Sequence, residues 1–499
     1  MKKKLLILQA IIMMLAATGC SAEDKGKSVE SIDDLPGATI GVQLGTTGDI
    51  YASDYEAPEY GSTVERFNKI TDAVQALKQS KIDCVIADEQ PAIASIETEP
   101  GLVILDEPFA LEEYAMVVAK DNDELLADIN DALVQLKDDG TLDSIIANYI
   151  GDDTKGKTPY VSPEGTTYEN GTLVVATNAA FKPYEYYDGN EVVGIDIDII
   201  RAIGDILHMD IEIEDIEFDA IISAVSSHKA DVGIAGMTMT EERAKSINFS
   251  DSYVTSKQVM IVRGDNASFS NIGFIDKVYQ NFVQNDRWAY VLSGLKNTLI
   301  IALCAVILGV FIGFLVGIVR VAHDKTGVLP ILNAICKLYL TIIRGTPAMI
   351  QLLIIYYVVF QSVNISKILV AVIAFAINSG AYVAEIIRGG IMSIDEGQTE
   401  AGRSLGLNYR QTMIYIILPQ AVKNVLPSLA NEFITLIKET SICGYIGLMD
   451  LTRGGDIIRS QTYEPFLPLI AVALIYLVIV EILTVLVGRW EKSLRKSDR

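Results

Sequence analysis

The sequence is poor in the residues that build covalent or metal-held frameworks: five cysteines and three histidines among 499 residues. Cys20, Cys84, Cys304, Cys336 and Cys443 are scattered, form no CxxC pair and do not cluster with His208, His228 or His323. That spacing argues against a disulfide scaffold and against a metal site. No GxxxxGK[ST] string occurs: Lys27 and Ser28 follow Gly26, but Ser21 stands where the first glycine is required. The sequence therefore has no phosphate-binding loop with which to hydrolyse ATP alone. A Ser/His/Asp constellation is also missing, which argues against an enzyme. Basic residues are too few, against a net charge of -24, to suggest nucleic acid.

The charge is distributed unevenly. Residues 21–290 hold 51 acidic against 19 basic side chains, whereas residues 291–499 hold 13 against 18. A mean hydropathy of +0.32 beside 21% charged residues fits a chain that meets two solvents, an acidic soluble part followed by a membrane part. At the start, Lys2, Lys3 and Lys4 precede the uncharged run 5–18, which ends in LAATGC. Residues 1–20 read as a signal peptide, and the ending resembles a lipobox, which makes Cys20 the expected site of lipidation.

Uncharged stretches at 297–319, 345–366 and 368–384 are expected to cross ~30 Å of hydrocarbon, as is 466–487 with its single acid Glu481. The stretch 425–448 is weaker because Glu432, Lys438 and Glu439 lie in it. Basic residues follow the first span (Arg320, Lys325, Lys337, Arg344), follow the third (Arg388, Arg403, Arg410) and close the chain (Arg489, Lys492, Arg495, Lys496, Arg499), so all three segments belong in the cytoplasm. An even number of crossings must separate two inside segments. The weak stretch therefore crosses, giving five helices, a cytoplasmic C-terminus and an outside N-terminus.

Residues 400–419, EAGRSLGLNYRQTMIYIILP, resemble the EAA loop of ABC importer permeases, with Glu400, Ala401, Gly402, Gly406, Leu418 and Pro419 at the family's spacings. The departure is Gly402, where the family usually has alanine. The resemblance implies a short helix, a turn at the glycine and a second helix, seated in a groove of a separate cytoplasmic ATPase that carries the ATP and Mg. It also implies a permease homodimer. The strings IIRGTPAMIQLLIIYY (342–357) and NSGAYVAEIIRGGI (378–391) resemble the polar amino acid branch of these permeases.

The soluble part resembles the solute-binding proteins of the same importers. Residues 172–264, from TLVVATNAAFKPYEYYDG onward, are similar to their first lobe, and 28–150 to their second lobe with its return helix. Each half occurs once and in reversed order. The expected fold is therefore a two-lobed α/β domain of the type II periplasmic-binding-protein class, circularly permuted through the linker 151–171. It is followed by a juxtamembrane segment 270–295 and an all-α permease domain at 296–490. An exchange of lobes between two chains is the competing arrangement. The strand 258–263 is expected to run on toward the membrane.

The resemblance implies an amino acid site. Arg243 corresponds to the residue that binds the ligand carboxylate, with the Thr238 hydroxyl and the backbone N–H groups of Thr46 and Thr47 assisting. Asp88 pairs with the ammonium group beside the Gly236 carbonyl. Phe181 and Phe218 flank the side chain, while Asn178 and Gln43 tune its choice. The function this implies is capture of a polar amino acid outside a bacterial cell and its ATP-driven import across the plasma membrane. The alternative is a sensor or gated channel using the same clamp.

Overall fold

The computed structural model describes residues 27–496 except 98–100, 152, 190, 265–272, 362, 364, 463 and 465. The signal segment 1–20 and Cys20 lie outside the described residues. The chain forms two compact units, one from the residues up to Ala110 together with Lys257–Phe269, the other from Leu111–Ser256 together with Ser270–Arg499.

In the first unit, the strand Thr39–Gln43 lies between Thr63–Phe67 and Cys84–Asp88, all parallel, with Ile40 opposite both Val64 and Cys84. Every residue of Cys84–Asp88 is buried, as expected where helices cover both faces of a parallel sheet. The helix Ile70–Lys78 packs Ala73, Val74 and Leu77 onto Val85 and Ile261. Gly41 permits this closeness, because a Cβ there would lie 2.4 Å from Ile82 Cδ1. The end of the strand Ile247–Arg263 also belongs here. It pairs antiparallel with Cys84–Asp88, placing Val259 opposite Ala87 and Ile261 opposite Val85. Residues 258–263 thus enter the first unit instead of running directly toward the membrane, because Val259 and Ile261 are needed to close its core.

The soluble part of the second unit is built around Thr172–Thr177, flanked in parallel by Asp210–Asp215 and Val232–Gly233. Val232–Gly233 also pairs antiparallel with the strand Ala110–Ala119. The helices Asp123–Asp138 and Thr141–Ile150 place Ile129, Leu133, Leu142 and Ile145 in one core with Val175, Ile199 and Ile203. Segment 111–150 therefore packs on segment 172–256 of its own chain.

Among the described residues, four helices are long and apolar enough to cross a membrane: Trp288–Thr326, Lys367–Met392, Tyr409–Ile446 and Phe466–Ser493. The uncharged run 345–366 is not one straight helix. Its helical part, Ala348–Val359, meets Pro330–Gly345 at 109°, and the pair counts as a fifth crossing only if it is one broken span. The break falls at Thr346, held extended before Pro347, where proline disfavours helical backbone in its predecessor.

The helices Trp288–Thr326 and Lys367–Met392 close together over Gly309, Gly313 and Gly317, which face Ser379, Val383 and Ile387. Small residues at such spacing let membrane helices approach backbone to backbone. A Cβ at Gly313 would come within 2.5 Å of Val383 Cγ1. Gly313→Leu is expected to cost about 1–3 kcal/mol by overpacking and to lower the thermal unfolding midpoint of the detergent-solubilised chain. Gly488→Leu, where a Cβ meets nothing within 4 Å, should leave it in place. Equal midpoints for both variants would contradict this packing.

Candidate functional site

Arg243 is buried, although it sits in the charged string EERAK. Its Nη1 donates to the Thr238 carbonyl at 2.6 Å, and its guanidinium lies 5.6 Å from the centroid of the Phe218 ring. Three of the expected ligand residues are thus brought together. The Thr238 hydroxyl donates to Glu112 Oε2 at 3.1 Å, so its proton is directed to an acid, and it meets a ligand carboxylate only by re-orienting. Gly236 packs against Phe181: its backbone has φ +52, and a Cβ would lie 2.7 Å from Phe181 Cε1. Asn178 is turned inward, donating from Nδ2 to the Ile216 carbonyl at 2.7 Å. It shapes the loop that leads to Phe218.

A buried acid supports this face. Asp196 Oδ2 accepts the Gly236 N–H at 2.9 Å and the Tyr253 hydroxyl at 2.9 Å, with Glu185 also buried nearby. Burial pushes the Asp196 carboxyl up to about 6, although these donors partly oppose the rise. Its folded value exceeds its unfolded one, so the charged form weakens the fold. That cost is absent below 3.8, grows as pH rises toward 6 and is complete above it. Asp196→Asn keeps the acceptor for Gly236 and removes the charge. It is expected to raise the unfolding midpoint by a few degrees at about pH 8 and to flatten the pH dependence between roughly 4 and 6. A midpoint that falls at about pH 8 would contradict this.

The remaining expected residues lie in the first unit. Gln43 ends a strand, and its carbonyl accepts the Thr46 hydroxyl at 2.8 Å and the Thr46 N–H at 3.3 Å. The Thr46 N–H is therefore engaged within its own turn. Thr46 caps the helix Thr47–Ser53, and the Thr47 hydroxyl accepts from Gln258 Nε2 at 3.2 Å. Asp88 is buried at the end of its strand, where the helix Glu89–Ile96 begins. Sequence reasoning missed the brace of this loop: Asp49 accepts the Gly45 N–H at 2.9 Å and is itself held by Arg66 at 2.8 Å. The signal available was the acid four residues after Gly45 in LGTTGD.

A second candidate site is the helical hairpin at 396–419. The helix Glu396–Ser404 ends in a turn at Gly406, whose φ is +85, and Asn408 opens the next helix through a reciprocal pair of bonds with Gln411. Gly402 is where the two helices touch, because a Cβ there would lie 2.8 Å from Thr412 Cγ2 and 2.9 Å from Ile416 Cδ1. This packing accounts for glycine at the position. Glu400, Ala401, Gly406 and Pro419 are exposed, and Leu418 is half-buried. Leu405 and Tyr415 beside them are 80% and 70% exposed, an apolar surface left uncovered by the described residues.

The geometry is that of a solute-binding part joined to a helical membrane part. Residues 173–441 match the bacterial extracellular solute-binding proteins, family 3. The match covers more than half of the chain, which belongs to this family. Over 207 residues, 41% of this chain, it is 40% identical to the putative glutamine transport system permease protein GlnP of Rickettsia typhi, 93% of which is covered. It is 38% identical over 211 residues to the arginine transport system permease protein ArtQ of Bacillus subtilis, covering 42% of this chain and 94% of that one. A solved amino acid ABC transporter with histidines is 40% identical, with 45% of this chain and 100% of that chain covered and a TM-score of 0.41. The chain thus unites a family-3 binding part with a permease part of the amino acid ABC type.

Proposed function

We propose that this chain captures a polar amino acid outside the cell and provides the membrane pathway for its ATP-driven import. The reading is carried by one observation: a family-3 binding part and a permease part with the exposed hairpin 396–419 occur on the same polypeptide. Arg243 takes the ligand carboxylate, Asp88 the ammonium, and Phe181 and Phe218 flank the side chain. Thr46, Thr47, Thr238, Gly236, Asn178 and Gln43 shape the surroundings. A separate cytoplasmic ATPase, bearing ATP and Mg, docks on Glu400, Ala401, Gly402, Gly406, Leu418 and Pro419. Two copies of the chain pair around one pathway, each crossing five times with its C-terminus in the cytoplasm and Cys20 lipidated outside.

The binding part is circularly permuted in this reading. Segment 111–150 packs on 172–256 as a return segment does. The test is reconstitution in proteoliposomes with the ABC ATPase that co-purifies with the chain. Uptake of a labelled amino acid that requires ATP at the ATPase is the expected result. Failure of any ATPase to co-purify, or uptake without ATP, would refute the proposal.

A further inference from the structure

The helix Leu451–Thr462 carries a buried cation that belongs to the permease part by sequence but to the binding part by its contacts. Arg453 is 5% exposed. Its Nη2 donates to Asp215 Oδ2 at 2.5 Å and its Nη1 to Glu217 Oε1 at 2.6 Å. On the membrane side its helix is tightly held. A Cβ at Gly454 would lie 2.6 Å from the Tyr290 carbonyl and one at Gly294 would lie 2.1 Å from that of Asp450. The Leu451 N–H donates to Thr298 Oγ1 at 3.1 Å, and the Thr452 hydroxyl lies 3.3 Å from that of Tyr476. Arg453 is therefore fixed relative to the first and last apolar helices.

Its two acids are fixed relative to the ligand residues. Asp215 Oδ1 accepts the N–H of Ala179, next to Asn178, at 3.0 Å. Ile216, between the two acids, offers the carbonyl that holds the Asn178 amide. Phe218, one residue after Glu217, carries the Arg243 guanidinium. Two flanking contacts press the same surfaces together: Lys367 pairs with Glu214 at 2.9 Å, and Lys229 donates to the Phe360 carbonyl while lying 5.2 Å from the Tyr356 ring centroid. Asp215 and Glu217 repel each other when desolvated, and Arg453 is the cation that holds both. A docking patch made only for adhesion has no need to bury its ions on the loop that shapes the ligand site, because burial makes each ion costly unless its geometry is satisfied.

We propose that Arg453 is a positioning residue for the ligand site, setting the loop Asp215–Phe218 so that the binding part reaches full affinity only on its own permease. By reciprocity, occupancy of the site is felt at the helix between the first and last apolar spans. This inference rests on the amino-acid-binding reading above. The test is calorimetric titration of the full-length chain in lipid nanodiscs with a panel of amino acids, followed by the tightest of them on variants. Arg453→Met is expected to raise Kd roughly tenfold, a typical coupling between linked sites. Glu217→Gln should raise it by a smaller factor, and the double variant no further than Arg453→Met alone, because the residues act as one unit. Arg453→Lys should recover part of the affinity, since an ammonium cannot hold both acids in the fork geometry.

A merely structural role predicts a different readout: fewer binding-competent chains at unchanged Kd. Unchanged Kd in both Arg453→Met and Glu217→Gln overturns the inference, and Glu217→Gln decides it alone if Arg453→Met does not fold. A wild-type chain that binds no amino acid overturns the functional reading as well, whereas binding that is indifferent to both substitutions overturns only this inference.

Discussion

Arg243→Ala is expected to weaken amino acid binding about a hundredfold or more, the range found when one partner of a buried, hydrogen-bonded charge pair is truncated. The argument starts from burial. A guanidinium stays charged at any accessible pH, so placing it 8% exposed at the end of an acidic segment is costly unless an anion or carbonyl meets it. Thr238 supplies a carbonyl and Phe218 a ring face, both on the loops that carry the other expected ligand residues. A planar fork beside an aromatic face suits a carboxylate next to an apolar or cationic side chain. Arg243→Lys keeps the charge and loses the fork, so it should fall between wild type and alanine. Because Arg243 also braces Thr238, unfolding midpoints must accompany the titrations. A folded Arg243→Ala chain that binds its amino acid with wild-type affinity would remove Arg243 from the site.

The two classes of solvent were legible in the sequence because charge counts and apolar runs report burial directly. Gly309, Gly313 and Gly317 lie in the first such run, and its helix forms as expected. The run 345–366 was misleading for a backbone reason. Hydropathy registers no charge there, but Pro347 lacks an N–H and holds Thr346 extended, which bends the path by 109°. The motifs placed Arg243, Thr238 and Phe218 in one group, and these residues lie in contact, whereas the inward turn of Asn178 was not readable, since an amide can donate to a ligand or to its own backbone. Arg453 gave no signal at all. In TRGGDIIRSQT it reads as a solvated polar loop, and its acids lie 236 and 238 positions upstream. Long-range pairing likewise hid the destination of Val259 and Ile261.

The second large effect is expected at Gly406, where the hairpin proposed above to meet the ATPase turns. Its φ of +85 lies in the left-handed region, which is easy for glycine and costs other residues about 1–2 kcal/mol, with β-branched residues faring worst. A Cβ there meets nothing within 4 Å, so a substitution acts on the turn and not by collision. The turn is specified from both sides: the Gly406 N–H donates to the Arg403 carbonyl at 2.9 Å and the Leu407 N–H to that of Gly402 at 3.1 Å. Beyond it, the close approach of Gly402 to Thr412 and Ile416 holds the two helices at one spacing. Gly406→Val distorts this path and moves Leu405 and Tyr415, whose exposed apolar surface is the expected contact with the ATPase. Transport in reconstituted vesicles should fall about tenfold or more, a factor that each 1.4 kcal/mol of lost turn stability supplies. Gly406→Asn, which tolerates the same backbone region, should retain most of it. Amino acid titration of each variant serves as the control, because the binding part is a separate part of the chain. A Gly406→Val chain that imports at the wild-type rate would mean that force does not pass through this hairpin.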